Sequence, residues 1–287
     1  MNKDGGFNIY HRGSRLKDHS YYQYMITIPW IQFHIIVLLA YLLLNMVFAG
    51  LYLLAGIEHL QGADLSTPVQ EFLSAFFFSV HTFTTVGYGT IAPKGLGVNI
   101  IAAVEAITGL MSLALATGLL FGRFSKPSAN ISFSSNAIIA PYQGGTSFQF
   151  RIVNRRKVNL LEMEAKVLLM VVDKSGATPI RKYTQLALER PSVYFFPLPW
   201  TIVHPIDKTS PLYEKSLEDL AKVHAEILIL VKGFDESFGQ TVHVRYSYTF
   251  DEIIWGAKFI PAFSIDANGA VVLHLDDINK MERVTLS

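Results

Sequence analysis

Thr84-Thr85-Val86-Gly87-Tyr88-Gly89-Thr90, TTVGYGT in one-letter code, lies between an aromatic run, FLSAFFFSVHTF, and a second apolar run that starts near Gly97. Glycine in a helix interior costs about 1 kcal/mol relative to alanine, so two glycines around a tyrosine argue against a continuous span here. What glycine offers instead is easy access to positive φ, the requirement of a backbone that must alternate its conformation from residue to residue. The flanking sequence decides what such a backbone is for.

Upstream, STPVQEFLSAFFFSVHT opens with Thr67 as an N-cap, Pro68 at the first helical position and Gln70 three residues after Thr67, a capping-box spacing. The spacing predicts a helix over 68–82 that is apolar on most sides yet too short to cross a bilayer. Further out stand two longer apolar stretches. Residues 30–54, WIQFHIIVLLAYLLLNMVFAGLYLL, carry no Asp, Glu, Lys or Arg, and residues 97–122, GVNIIAAVEAITGLMSLALATGLLFG, carry only Glu105. At ~1.5 Å per residue each can cross a hydrocarbon core of ~30 Å. Arg12, Arg15 and Lys17 precede the first span and Arg123 and Lys126 follow the second, while Glu58, Asp64 and Glu71 lie between them against Lys94 alone. By the positive-inside bias both termini are expected in the cytoplasm. The polar, basic start without a short apolar core argues against a cleaved signal peptide.

A short buried helix followed by irregular backbone at membrane depth is tolerated only where protein covers it or where it lines a water-filled path. The arrangement therefore predicts a re-entrant pore helix over 68–82 and a filter strand over 85–89. A narrow path for a dehydrated cation needs a column of carbonyl oxygens to replace the hydration shell, and TVGYG matches the filter loop of potassium channels, four of which surround one axis. On that match, K+ is the permeant ligand of the Thr85, Val86, Gly87 and Tyr88 carbonyls, the Thr85 hydroxyl adds an oxygen at the inner end, and Gly89 closes the filter.

Beyond Asn130 the pattern alternates and becomes β-branched, as in SFQFRIVN, EAKVLLMVVD, EILILVKGF and TVHVRYSYTF, with turn signals at Gln143-Gly144-Gly145, Asp173-Lys174-Ser175-Gly176 and Asn268-Gly269. These features predict a β-sandwich with one short helix at 217–224. With no cysteine, G-x-G-x-x-G after a strand, G-x-S-x-G or H-x-x-x-H spacing, no cofactor, metal centre or enzymatic function is expected. A net charge of +1 gives no support to a nucleic-acid partner. A membrane-tethered β domain that conducts nothing would have no need of the filter glycines, and a receptor with a potassium-type pore would need an external domain for which the chain has no room.

The sequence resembles the inward-rectifier potassium channels, most closely their prokaryotic branch, over nearly its whole length. The resemblance rests on AFFFSVHTFTTVGYG, GLLFGRFSKP, PLPWTIVHPIDKTSPLY and SYTFDEIIWGAKFIP. It implies membrane α plus all-β architecture in a homotetramer of the cell inner membrane. Residues 1–29 would form the cytoplasmic N-terminus with an interfacial helix around 18–27, residues 30–126 the two-span pore domain, and residues 127–287 an immunoglobulin-like cytoplasmic β-sandwich. It also implies a cytoplasmic constriction at Phe238, Gly239, Gln240 and Thr241. Leu113 stands where strong rectifiers carry an acidic cavity residue, so rectification is expected to be weak.

Several further residues are singled out. Leu113, Thr117 and Phe121 recur at a spacing of four and can share one helix face, with Leu113 and Thr117 in the cavity and Phe121 as the gate. Gly109 and Gly118 above it make bending cheaper. Glu105 either lines the cavity or braces the filter from behind, and its position in the family favours the second. His81 replaces a bracing carboxylate of many family members and either contacts Glu105 or bonds to nearby backbone. His34 and Asn45 are expected to be packing or interhelical hydrogen-bonding residues. Arg12, Arg15, Lys17, Arg123 and Lys126 lie at the depth of anionic headgroups and are expected to bind membrane lipids, phosphoinositides among them.

Overall fold

The computed structural model describes residues 20–126, 130–156, 159–176 and 178–286, and the described residues divide into two compact units, 20–126 and 130–286. Arg12, Arg15 and Lys17 lie outside the described residues, as do the first two positions of the expected interfacial helix.

The first unit is helical. Helix α1, Tyr21–Thr27, is capped by the Ser20 hydroxyl, which accepts from the Gln23 amide. Pro29 follows at the elbow, and α2 runs from Trp30–Ala55. Strand β1, Leu60–Gln61, then pairs with β2, Ala92–Pro93, across the intervening pore segment. Helix α3, Pro68–Phe83, starts as its sequence dictates, with the Thr67 hydroxyl accepting from the Gln70 amide. At ~1.5 Å per residue it falls short of a ~30 Å hydrocarbon core, whereas α2 and α4, Leu96–Phe124, exceed it. The core of this unit gathers Phe48, Ala49 and Tyr52 of α2, Ala75 and Phe78 of α3, and Val98 of α4. The Tyr52 and Phe78 rings meet edge to face with centroids 5.0 Å apart. Leu38, Leu39 and Leu43 on α2 and Met111 and Leu115 on α4 stay exposed, an apolar surface that water would not support and lipid would.

The second unit is a β-sandwich. One sheet contains β3, Ile131–Phe133, β4, Ala137–Tyr142, β5, Gly145–Asn154, β9, Trp200–Ile206, and β12, Ile253–Trp255. The other contains β6, Leu160–Asp173, β7, Ile180–Gln185, β8, Ser192–Phe195, β10, Glu226–Asp235, and β11, Gln240–Thr249. Each sheet is organised by one long strand. β5 pairs with β9 on one side and with β4 and β3 in succession on the other, and β6 pairs with β10 on one side and with β7 and β8 on the other. Short pairs, β13, Ala257–Phe259, with β16, Met281–Arg283, and β14, Phe263–Ile265, with β15, Val271–Leu273, complete the strands.

The shared core follows the period of two, with Phe148, Phe150 and Ile152 from β5 facing Met163, Ala165 and Val167 from β6 and Ile227, Ile229 and Val231 from β10. The alternation slips near the start of β6, where Leu160 and Met163 are both buried. Glu162 between them has φ +49°, and the β6–β10 register shifts there between Lys232 and Phe234. Gly233 lies opposite, where a Cβ would stand 2.2 Å from Met163 Sδ. Helix α5, Leu217–Lys222, shorter than the expected 217–224, carries a complete Ser216–Asp219 capping box. The three turn signals read from the sequence fall between β4 and β5, β6 and β7, and β14 and β15.

Two buried polar groups of this unit are matched by their surroundings. Tyr248 donates to the Ser134 carbonyl at 2.6 Å, and burial pushes its phenol above the usual range. The Arg151 guanidinium donates to the Ile260 carbonyl at 2.7 Å and lies over the Phe259 ring, and burial lowers its pKa to about 10, where it is still a cation at neutral pH.

Candidate functional site: the filter segment and its supports

The segment after α3 alternates as an inward-facing carbonyl column requires. Thr85, Gly87 and Gly89 have φ of +60°, +58° and +77°, separated by Val86 and Tyr88, which are not among the positive-φ residues. Only two of the three positive positions are glycine. A β-branched residue at positive φ is a genuine outlier that costs ~1–3 kcal/mol, so Thr85 is held there by its surroundings.

The hold comes from the end of the pore helix. The His81 carbonyl accepts from the Val86 amide at 2.9 Å and from the Gly87 amide at 3.3 Å, and the Thr82 carbonyl accepts from Thr85 at 3.0 Å. In a trans peptide the N–H and C=O of one plane point in opposite directions. Turning the amides of Val86 and Gly87 toward His81 therefore turns the carbonyls of Thr85 and Val86 away from the helix. His81 also presents its ring to Tyr88, edge to face with centroids 4.8 Å apart. The contact considered between His81 and Glu105 does not form, because the imidazole is directed to Tyr88 and Glu105 is served by other groups.

Glu105 is fully buried behind α3. The Ser79 hydroxyl lies against its Oε1, and the Tyr52 hydroxyl donates to its Oε2 at 2.5 Å. Asn45, also fully buried, receives the same Ser79 hydroxyl at 3.0 Å and donates to the Tyr41 carbonyl at 2.8 Å. His34, by contrast, is exposed, with Nδ1 2.8 Å from the Trp30 carbonyl in its own helix. Sequence reasoning missed Ser79 and Tyr52. Asn45 and Tyr52 are two turns apart on one face of α2, so the polar positions of an otherwise apolar span carried the signal.

Gly109 contributes by close approach. A Cβ there would stand 2.2 Å from the Phe83 carbonyl oxygen, so α4 meets the end of the pore helix backbone to backbone. Helix α4 is continuous over Leu96–Phe124, and at Gly118 nothing lies within 4 Å of where a Cβ would stand. Leu113, Thr117 and Phe121 are all exposed on α4, with the Thr117 hydroxyl donating to the Leu113 carbonyl at 2.8 Å.

Arg123 departs from its expected role at the headgroups. It is buried, donates from Nη1 to the Met25 carbonyl at 2.6 Å and from Nη2 to the Ile28 carbonyl at 2.7 Å, and lies over the rings of Trp30 and Phe33. Its guanidinium thus ties α4 to the elbow between α1 and α2 instead of facing a lipid phosphate. Lys126 is exposed.

In the second unit, Phe238, Gly239, Gln240 and Thr241 form the β10–β11 hairpin tip and the start of β11. The Asp235 carboxylate accepts from the amides of Ser237 and Phe238, its carbonyl accepts from Gly239, and Gly239 takes φ +61°. Thr241 borders a shallow groove of ≈ 320 Å³ that also touches Glu162, Glu164, Tyr194 and Lys232. Lys232 pairs with Glu164 at 2.5 Å, which holds this half-buried carboxyl below its ordinary pKa. Among the described residues no group of His, Asp and Glu side chains is placed to hold a metal ion.

Comparison with known proteins agrees with this architecture. Residues 131–287 match the family model described as inward rectifier potassium channel C-terminal domain, and residues 36–126 match the one described as ion channel. The chain is 35% identical over 286 residues to the inward rectifier potassium channel Kirbac3.1 of Paramagnetospirillum magnetotacticum, covering 98% of this chain and 95% of that one. It is 26% identical to the G protein-activated inward rectifier potassium channel 2 of Rattus norvegicus, covering 93% of this chain and 68% of the relative. The helical unit with its two spanning-length helices and the β unit thus correspond to the parts of one family of membrane ion channels, not enzymes: this chain belongs to the inward rectifier potassium channel family.

Proposed function

We propose that the chain forms a homotetrameric, potassium-selective pore in the cell inner membrane, with both termini cytoplasmic. The observation that carries this reading is the alternation of φ from Thr85 to Gly89, which with the two amides turned toward His81 leaves carbonyls free to replace a hydration shell. One such strand per chain cannot enclose an ion, and four around one axis can. Rubidium uptake into liposomes containing the purified protein is the test. Barium-sensitive uptake of rubidium and potassium with little sodium is expected; equal sodium and potassium flux would overturn the reading.

Rectification in this reading is weak, because Leu113 offers no charge to hold magnesium or a polyamine in the cavity. Leu113→Asp is expected to strengthen polyamine block by about tenfold or more, since each added carboxylate facing a polycation at short range is worth ~1 kcal/mol even in water and four would act together. Currents recorded at graded polyamine concentrations from the cytoplasmic side check this. Unchanged block would place Leu113 off the axis. The gate is assigned to Phe121 and to the constriction formed by Phe238 to Thr241.

The lipid response is assigned to Lys126 with Arg12, Arg15 and Lys17, each near-surface charge contributing ~1 kcal/mol with anionic lipid. Arg123 has a different assignment. Lys126→Gln is expected to weaken the effect of phosphoinositides on rubidium flux and leave thermal stability unchanged. Arg123→Gln is expected to lower the denaturation midpoint, because charge-assisted hydrogen bonds contribute ~1.5–3 kcal/mol each. Flux titrated with phosphoinositide and a thermal melt on the same preparations separate the two. Parent-like stability in Arg123→Gln with a lost lipid response would return Arg123 to the headgroups.

A further inference from the structure

The hydrogen bonds behind the pore helix do not balance if Glu105 is ionised. Asn45 Nδ2 donates to the Tyr41 carbonyl at 2.8 Å, which fixes the amide so that Oδ1, an acceptor only, faces Ser79 Oγ at 3.0 Å. Reversing the amide would set its oxygen against the Tyr41 carbonyl oxygen, so that orientation is excluded. The other neighbour of Ser79 Oγ is Glu105 Oε1. An ionised carboxylate is also an acceptor only, and the serine has one hydroxyl hydrogen for two acceptors. One of the two contacts would then press lone pair against lone pair, in a cluster where Asn45, Ser79, Glu105 and Tyr52 are all fully buried. A proton on Oε1 resolves the count. The carboxyl donates to Ser79 Oγ, Ser79 donates to Asn45 Oδ1, and the Tyr52 hydroxyl donates to Oε2.

We propose that Glu105 is held as the neutral acid and acts as a positioning residue for the filter, through a proton-ordered chain from Asn45 and Tyr52 of α2 to Ser79 of α3 and Glu105 of α4. Ser79 lies two residues before His81, whose carbonyl anchors the filter amides, so the chain fixes the last turn of the pore helix from behind. The groups facing Glu105 suit a neutral acid. Tyr52 is the titratable side chain that α2 presents to it, α3 presents Ser79, and His81 is turned to Tyr88. Among the described residues no Lys, Arg or His forms an ion pair with Glu105.

The test uses the full-length protein in liposomes at neutral pH. The infrared difference spectrum of parent against Glu105→Gln is expected to contain a protonated-carboxyl stretching band; an ionised-carboxylate band in its place would overturn the proposal. Should Glu105→Gln fail to assemble, parent is compared with Tyr52→Phe, in which loss of the donor to Oε2 must shift the same band, and an unshifted band overturns the chain. The functional arm rests on the filter reading. Glu105→Met is expected to lose about tenfold in rubidium-over-sodium selectivity, because Tyr52 is left buried without its acceptor and Ser79 keeps Asn45 but loses its donor. Glu105→Gln is expected to recover most of it, since an amide can donate to Ser79 and accept from Tyr52 as the neutral acid does. Recovery by Glu105→Asp but not Glu105→Gln would show that the charge matters and overturn the proposal. A parent protein that does not select rubidium would fail the filter reading alone, leaving the infrared band to decide the protonation.

Discussion

Replacing Gly87 with alanine is expected to abolish selective rubidium uptake while tetramers still form. The cost lies in the backbone. Gly87 has φ +58° and nothing within 4 Å of where a Cβ would stand in its own chain, so space within the chain does not forbid the methyl group. An L-residue held in the left-handed region costs ~1–2 kcal/mol, and a homotetramer bears that cost four times around one axis. A strand that relaxes to negative φ rotates the Gly87 carbonyl out of the column, and sodium and potassium then meet the same incomplete shell. Size-exclusion profiles and rubidium uptake on one preparation check the prediction together. Parent-like selectivity in Gly87→Ala would show that the filter tolerates the change and that its alternation is not what selects.

Replacing Phe121 with aspartate is expected to raise resting rubidium flux several-fold at matched tetramer content. Phe121 is 73% exposed near the end of α4 and, among the described residues, makes no ring contact. It follows Leu113 and Thr117 at intervals of four, and α4 turns polar immediately after it, at Arg123. A ring of four phenyl groups can stop ions by dewetting before it is sterically closed, and a charge in each position would rewet it. The same substitution at Leu120 is the control, because that side chain is half-buried on a different face of the helix. Equal flux for parent and Phe121→Asp would move the gate to the hairpin at Phe238 to Thr241.

The helix starts and the spans were legible because they depend on local chemistry. Thr67-Pro68 sets the start of α3 and Ser216 that of α5 whatever they pack against. Gly87 and Gly89 announced positive φ, but Thr85 did not. Its conformation is imposed by hydrogen bonds with the end of α3, a cause that residue type does not carry. Ser79 was invisible for a related reason: a serine in an aromatic helix reads as a tolerated small residue until α2 and α4 bring Asn45 and Glu105 to its hydroxyl. Arg123 misled in the opposite direction. A basic residue at the end of a span is read as facing headgroups, and only the elbow at Pro29 supplies the two free carbonyls and two rings that take its guanidinium inward.

The pairing of β1 with β2 sets which insertions the pore segment can accept. Leu60 faces Pro93 and Gln61 faces Ala92, the Lys94 amide donates to the His59 carbonyl at 2.8 Å, and a Cβ on Gly62 would stand 2.1 Å from the Thr90 carbonyl oxygen. This clasp joins the end of α2 to the start of α4, so the chain between β1 and β2 is a closed ring with a fixed circumference. Residues 63–66 are largely exposed and can lengthen outward at little cost, since doubling a loop costs only about 0.6 kcal/mol. Residues 84–91 have no such freedom. They run between the end of α3 and the clasp, both of which are anchored, so one added residue must either buckle the carbonyl column or open the β1–β2 pair. Length variation among channels of this construction should therefore gather before the pore helix and avoid the stretch after it.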